Sequence, residues 1–469
     1  MNSLFGRRTL YTDEDVITDD NVINVVKTAF NRHLMNSAEI AYLDAYYRGD
    51  QPILNKTKEF RQEINNKVVE NRAYEIVTFK VGYQVGKPIK YVSRKNDDKT
   101  SEQIQTLNDY MLSENKHTQD TKLVEWEFIG GTGYRLVLPN VRRTDGEAPF
   151  KVYVLDPRYT FVVYRSGFKN EPKLGVTYYA KQDGTIVFDA YSENRYWHFE
   201  NSSEFPMTST GHIYGGIPII EYYANRSKLG AFEIVIPILN AINNVSSDRL
   251  DSIKQFVEAI LFIKGFHLDE EQQKQLKELG GLFGPADGDA KYLTAELNQM
   301  QTQTLVDYMD QTVRIICAMP NRNGGSSTSD TGTAVIYRDG WSDAETYAEN
   351  TESYFQESEK NFLKLCTGMM NILDRTDLSY PDVETVFTRR NYANDQTKIN
   401  NLVTMLNCDK IHPRIAWQLS GAVADPENAY KISQEYYESR QQQMMDALMR
   451  QSEEDSDEDE EATEEKSSV

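Results

Sequence analysis

Between Gly230 and Leu373 apolar residues recur at intervals that suit long helices, and this stretch limits the fold most. Pro237 fits a first helical turn, where its fixed φ helps and its missing N–H has no intrahelical partner. Ile238, Leu239, Ile242, Val245, Leu250, Ile253, Phe256, Val257, Ile260 and Leu261 then follow at helical spacing, with Gly265 as the stop. At 1.5 Å per residue that element is about 40 Å long. A second stripe runs Leu297, Met300, Leu305, Tyr308, Met309, Thr312, Ile315 and Ile316, and Pro320 ends it. Between the two, Gly280-Gly281-Leu282-Phe283-Gly284 and Asp287-Gly288-Asp289 punctuate short apolar runs and predict a β-hairpin. Polar Asn321 to Thr333 reads as a loop. A third long helix follows, through Val335, Tyr337, Trp341, Ala344, Ala348, Tyr354, Phe355, Phe362, Leu365, Met369 and Leu373, and Gly340 inside it permits a bend. Long struts of this kind bury one face in their own subunit and pack on neighbours with the rest. A large α-rich globular core would bury the same stripes.

On either side the pattern is more ordinary. Asp19 or Asp20 caps a helix carrying Val22, Val25, Val26, Ala29 and Phe30, and Asn36 caps a second one that stops at Gly49. A third helix spans Asn66 to Val85, closed by Gly86 and Pro88. Ile89 to Ser93 reads as extended and Ser101 to Leu112 as a short helix. From about Trp126 the signals change. Gly130-Gly131-Thr132-Gly133 breaks a helix, and Tyr134–Leu138, Lys151–Leu155, Thr160–Tyr164, Leu174–Ala180, Thr185–Tyr191 and Tyr196–Phe199 read as strands of a β-rich subdomain ending near Tyr223. Beyond Leu373, Asp382–Thr388 reads as a strand, and Asp395–Leu406 and Pro413–Ser420 as short helices, with His412 at a helix entry. Pro426 to about Gln451 reads as a final helix. The fold class expected is α+β, predominantly helical.

Charge narrows the partners. The formal charge is −21, and Glu453 to Lys466 alone holds ten acids and one Lys. Such a tail, 452–469, is expected to be disordered and solvated. An acidic body does not suit tight, phosphate-neutralising DNA binding, though it is compatible with DNA sliding past. No apolar run approaches the ~20 residues of a membrane helix, and Met1–Leu10 has no apolar signal-peptide core. Cys317, Cys366 and Cys408 are widely spaced and read as buried thiols in a reducing compartment.

Catalytic and metal motifs are missing: no Walker A, His-Glu-x-x-His, Cys-x-x-Cys or Gly-x-Ser-x-Gly pattern occurs. Asp287-Gly288-Asp289 is a tight turn, since the later ligands of a Ca²⁺ loop do not follow. No metal and no cofactor are therefore expected. The 29 Tyr would suit large protein interfaces; ordinary β packing accounts for many of them.

Residues 46–54 (Tyr-Tyr-Arg-Gly-Asp-Gln-Pro-Ile-Leu) and 80–89 (Lys-Val-Gly-Tyr-Gln-Val-Gly-Lys-Pro-Ile) resemble N-terminal signatures of portal proteins of long-tailed double-stranded DNA phages. Leu155-Asp156-Pro157-Arg158, the run Gly216 to Tyr223, Glu233 to Ala241 and Ile260 to Gly265 continue the resemblance in order over roughly residues 40 to 440.

The resemblance implies a non-enzymatic ring, typically of about twelve subunits, at one capsid vertex. It divides the chain into a wing (1–225), a first stem helix (230–264), a small α/β clip (265–296), a second stem helix (297–320), a tunnel loop (321–330), a long kinked wing helix (331–373) and a crown (374–451). Asn321, Arg322, Asn323, Gly324, Gly325, Ser326 and Ser327 would face the DNA, with Arg322 the one cation of the loop. An exposed loop arginine without a DNA role reads equally well. Gly280, Gly281, Phe283, Asp287, Asp289 and Lys291 would meet the terminase or the head-completion adaptor, and Gly340 would be the kink. Implied partners are double-stranded DNA, the terminase large subunit that hydrolyses ATP, scaffold and major capsid protein; the implied place is the virion, after synthesis in a bacterial cytoplasm. The clip is short for the family, and the acidic tail has no counterpart role. Two other readings stay open: a metal-dependent DNA-processing nuclease, which needs clustered acidic ligands, and another structural virion protein.

Overall fold

The structure is a computed structural model. It describes residues 6–59, 62–95, 97–144, 146–201, 207–257, 260–264, 289–293, 299–321, 340–388, 395–423 and 426–467, with backbone alone at 256–257, 260–264, 289–293, 299, 395–397 and 448–467. It is a mixed helix-and-sheet chain, α+β.

The N-terminal helix shows how tertiary contacts override local signals. Helix α1 runs unbroken over Val22–Tyr47, where capping residues predict two helices. Asn36 is not a cap: its side chain accepts from the Arg8 backbone N–H at 3.0 Å and donates to the Arg8 carbonyl at 2.8 Å. Asp19 is not one either. Its carboxylate accepts from the Trp197 indole N–H at 2.6 Å and from Arg195 and Ser209, which lower its pKa. The apolar stripe of α1 (Val22, Val25, Val26, Ala29) lies on a six-stranded sheet ordered β1-β5-β6-β7-β8-β9. Its strands are β1 Leu10–Thr12, β5 Thr160–Arg165, β6 Pro172–Ala180, β7 Ile186–Tyr191, β8 Arg195–Glu200 and β9 Thr208–Gly211. Strand alternation decides the faces: Phe161 and Val163 meet α1, while Val162 packs with Tyr134, Leu136 and Ile219 of a second sheet.

That second sheet, β10-β3-β4, joins β3 Gly133–Pro139, β4 Phe150–Leu155 and β10 Ile219–Tyr222. It rests on helices α2 Arg72–Val85, α3 Asp98–Ser113 and α4 Lys116–Gly130. Helix α4 ends at Gly131, whose φ is +82°; a Cβ there would sit 2.0 Å from the Lys228 carbonyl oxygen, so only glycine fits.

Helix α5 spans Ile236–Val257 and stops before the expected boundary at 264. Ile260–Lys264 is strand β11 instead, antiparallel to β12, Asp289–Leu293. A short apolar run of β-branched and aromatic residues suits either state by periodicity, and pairing settles it. Helix α6 is Gln299–Ile316 and α7 is Trp341–Leu373. Then follow β13 Val383–Val386, paired with β2 Lys90–Ser93, and α8 Asp395–Leu406, α9 Pro413–Ser420 and α10 Pro426–Ser467. His412 does open α9, its Nδ1 accepting from the Arg414 N–H. Helix α10 runs past Gln451 to the end of the acidic stretch, where disorder was expected. Residues 452–467 contain no Gly or Pro to stop it, and Glu and Ala are good helix formers.

The helix expected over Asn66–Val85 starts only at Arg72. The preceding residues are drawn out along α5, whose side chains take their backbone N–H groups. Glu70 N–H donates to Asn243 Oδ1 at 2.8 Å, Val68 N–H to Ser247 Oγ at 2.9 Å and Asn66 N–H to Asp251 Oδ1 at 2.7 Å. Four residues of helix rise about 6 Å, as do two residues of extended chain, so the ladder stays in step. Lys56 and Lys58 pair with Asp251 at its end and help hold that carboxyl down at about 2.

Candidate functional site

Helices α5 and α6 flank the β11–β12 strand pair in sequence and lie against each other, with Arg249 donating to Gln303 at 2.5 Å. Helix α6 has two apolar sides. Val306, Val313 and Cys317 face the core, with Met309 against it. The other side carries Leu305, Tyr308, Ile315 and Ile316 into water; Tyr308 is 68% and Ile315 71% exposed, and Met300 near the start is 82% exposed.

The exit from α6 is tight. The Met319 N–H donates to the Arg314 carbonyl and the Ala318 N–H to Ile315, a Schellman closure. Ala318 takes the left-handed position, φ +50°, that glycine ordinarily fills. Gly340, the expected kink, stands at the N-cap of α7 with φ +78°; the part of the long helix expected before it, 331–339, lies outside the described residues. That conformation suits glycine at an entry and does not continue a helix. A Cβ on Gly340 would lie 3.8 Å from Pro320 Cα, so the two ends of the 321–339 segment meet. Asn321 is exposed at its start.

Beneath this junction α2 forms a floor. Arg314 pairs with Asp310 and with Glu75 at 3.1 Å, and Arg72 reaches Glu75 and Asp310. Phe79 and Tyr83 stack on each other and meet Trp341 with tilted rings, and the Tyr83 hydroxyl donates to Glu345. Lys80 lies with Nζ 3.1 Å from the centre of the Tyr347 ring, and burial brings its pKa down to about 7. Gln84 is buried beside it, and among the described residues neither of its amide atoms has a hydrogen-bond partner.

A second cluster fixes α7 to the body. Arg135 of β3 pairs with Asp120 of α4 and, at 3.0 Å, with Glu359 of α7. Lys116 pairs with Asp120 and with Glu359, while Tyr91 and Tyr222 donate their hydroxyls to Glu359. All are buried. Burial opposes the Glu359 charge, but Lys116 and Arg135 outweigh it and hold that carboxyl below its ordinary range. Glu127, with no hydrogen-bond partner on either oxygen among the described residues, goes the other way: burial first, against the pull of Arg135, then Glu359 and Asp120 push it up to about 8. Sequence could not have marked either cluster, because Lys116, Arg135 and Glu359 carry no local sign of burial.

Of the residues expected to act, Arg322, Asn323, Gly324, Gly325, Ser326 and Ser327 lie outside the described residues, as do Gly280, Gly281, Phe283 and Asp287. Asp289 and Lys291 sit on β12, in register with Lys264 and Phe262. Among the described residues, no three His, Cys, Asp or Glu side chains gather as a metal-binding group, and no helix is long and apolar enough to cross a membrane. Cys317, Cys366 and Cys408 are unbridged, the first two buried.

Comparison with curated proteins gives no match. Among solved structures, the neck of an empty GTA particle computed with C6 symmetry is similar at 12% identity and a TM-score of 0.46, covering 75% of this chain and 90% of that one. The neck of a native GTA particle computed with C12 symmetry gives 11% identity and a TM-score of 0.43, covering 76% and 91%. Residues 27–458 match the family of phage portal proteins described as SPP1 Gp6-like. With a match over nearly its whole length, the chain belongs to that phage portal family.

Proposed function

We propose that the chain is the subunit of a ring, about twelve copies around one capsid vertex, through which double-stranded DNA enters during packaging and leaves at ejection. The observation that carries this reading is the second apolar side of α6. A face bearing Leu305, Tyr308, Ile315 and Ile316 gains nothing in water and is of the kind that interfaces bury. Side-by-side copies would cover it in every subunit, as a closed ring requires.

In that ring α5 and α6 are the stem, the β11–β12 hairpin the base of the clip, the helices and sheets before Tyr223 the wing, and α8 to α10 the crown. The clip offers itself to terminase and later to the head-completion adaptor, with scaffold and capsid protein around the outer body. The acidic chain repels phosphate, so DNA would pass without sticking. The segment starting at Asn321 is anchored at both ends on the α2 floor, which suits a loop reaching toward the channel. No catalytic step is assigned to the chain; ATP hydrolysis falls to the partner motor.

Deleting Asn323 to Ser327 tests the loop. Rings should form normally and DNA packaging in a reconstituted head assay should fail. Full packaging by the deletion variant would remove the loop from the channel.

A further inference from the structure

A small cavity of about 10 Å³ lies where α2, the end of α6 and the first turns of α7 meet. Lys80 and Gln84, four residues apart on one face of α2, both line it, and they are only 4% and 2% exposed. Phe79, Phe128, Ala318 and Ala344 supply apolar wall. Tyr83, also on the wall, gives its hydroxyl to Glu345 at 2.5 Å, and Tyr347 turns its ring toward Lys80 Nζ. Three polar side-chain atoms are left over. Among the described residues, Gln84 Oε1 and Nε2 have no hydrogen-bond partner, and Lys80 Nζ faces no carboxylate. A buried amide left without a partner is costly, so folded proteins rarely leave one unanswered.

We propose that this cavity is a binding site for a single water molecule, which accepts from Lys80 Nζ and donates to Gln84 Oε1. Size selects the occupant: about 10 Å³ holds one water and nothing larger. Chemistry selects it too. The Gln84 amide presents a donor and an acceptor, and water answers both, whereas a halide answers only donors and a metal cation is repelled by the Lys80 ammonium. The amine keeps an N–H to donate in either protonation state, so the site does not depend on the charge of Lys80. Cavities that stay dry are lined by apolar groups alone. The site lies below the point where Pro320 and Gly340 approach, which makes the water part of the floor on which both ends of the 321–339 segment stand. The inference does not depend on the ring reading.

An experimental density map of the full chain, at a resolution that shows other buried waters, tests the site directly. One water should stand within hydrogen-bond distance of Lys80 Nζ and Gln84. No density there would overturn the proposal, and so would a bromide peak in anomalous scattering from bromide-soaked crystals, which would make the occupant an anion. Stability gives a second test whose sign discriminates. Gln84→Met keeps the bulk and removes the amide. It should raise the unfolding equilibrium constant roughly tenfold in denaturant titration, because Lys80 loses the water that both residues hold. A dry cavity predicts the opposite, since the substitution would then remove an unpaired buried amide; an unchanged or raised midpoint would overturn the proposal. Lys80→Met should cost less in the Gln84→Met background than alone. Equal costs would mean that the two residues share no ligand, and would overturn it as well.

Discussion

The ionic cluster around Glu359 and the outer side of α6 invert the usual distribution of residues. In the first, Lys116, Asp120, Arg135 and Glu359 are sealed inside, nearly every charge answered by another. In the second, Leu305, Tyr308 and Ile315 are exposed to water. The cluster finds its partners within the chain; the outer side of α6 is the face that the proposed ring would cover. One polypeptide thus holds a buried ionic core and an exposed apolar strut, the combination that the proposed ring subunit would use.

The sharpest way to break this contrast is to make the strut polar. Tyr308→Ser with Ile315→Ser should abolish assembly, read by sedimentation, while the melting temperature of the lone subunit stays where it was. A large fall in subunit stability instead would mean that this face packs internally. Inside the body the order of effects reverses. Glu359→Ala leaves two buried cations short of a partner and should cost about 3–5 kcal/mol in denaturant titration.

Glu127 gives a smaller effect that pH can dissect. Its carboxyl is raised to about 8 in the fold, against the ordinary 4.5 of the unfolded chain. The folded state therefore binds more protons between those values, and stability is full below about pH 4.5 and falls as pH rises through 8. Glu127→Gln should flatten that slope and stabilise the chain by roughly 1–3 kcal/mol at pH 9, with little change at pH 4. The smallest effect lies at the end of α6: Ala318→Gly should add about 1 kcal/mol, because alanine occupies a left-handed position.

Much of this architecture is written locally. Strands β4 to β8 announce themselves by alternation between turn residues, and α8 and α9 by their periodicity and flanking breakers. What local pattern could not give depends on distant partners. Asn36 is a good helix cap, yet Arg8 takes its side chain. Asn66 to Asn71 read as helix, yet Asn243, Ser247 and Asp251 hold the backbone extended. Ile260 to Lys264 fit a helix until Asp289–Leu293 pairs with them. The outward stripe on α6 was legible, since Leu305, Tyr308 and Ile315 appear in the sequence at helical spacing; which stripe faces inward was not.

The central claim is that the exposed side of α6 is an interface between copies. Negative-stain microscopy of the purified full chain, with the mass measured by light scattering, addresses it directly. Rings with a central hole and a mass of about twelve times 54.0 kDa are expected, giving way to single subunits when Tyr308 and Ile315 become serine. Rings that survive that substitution, or a wild-type chain that stays monomeric at every concentration, would contradict it.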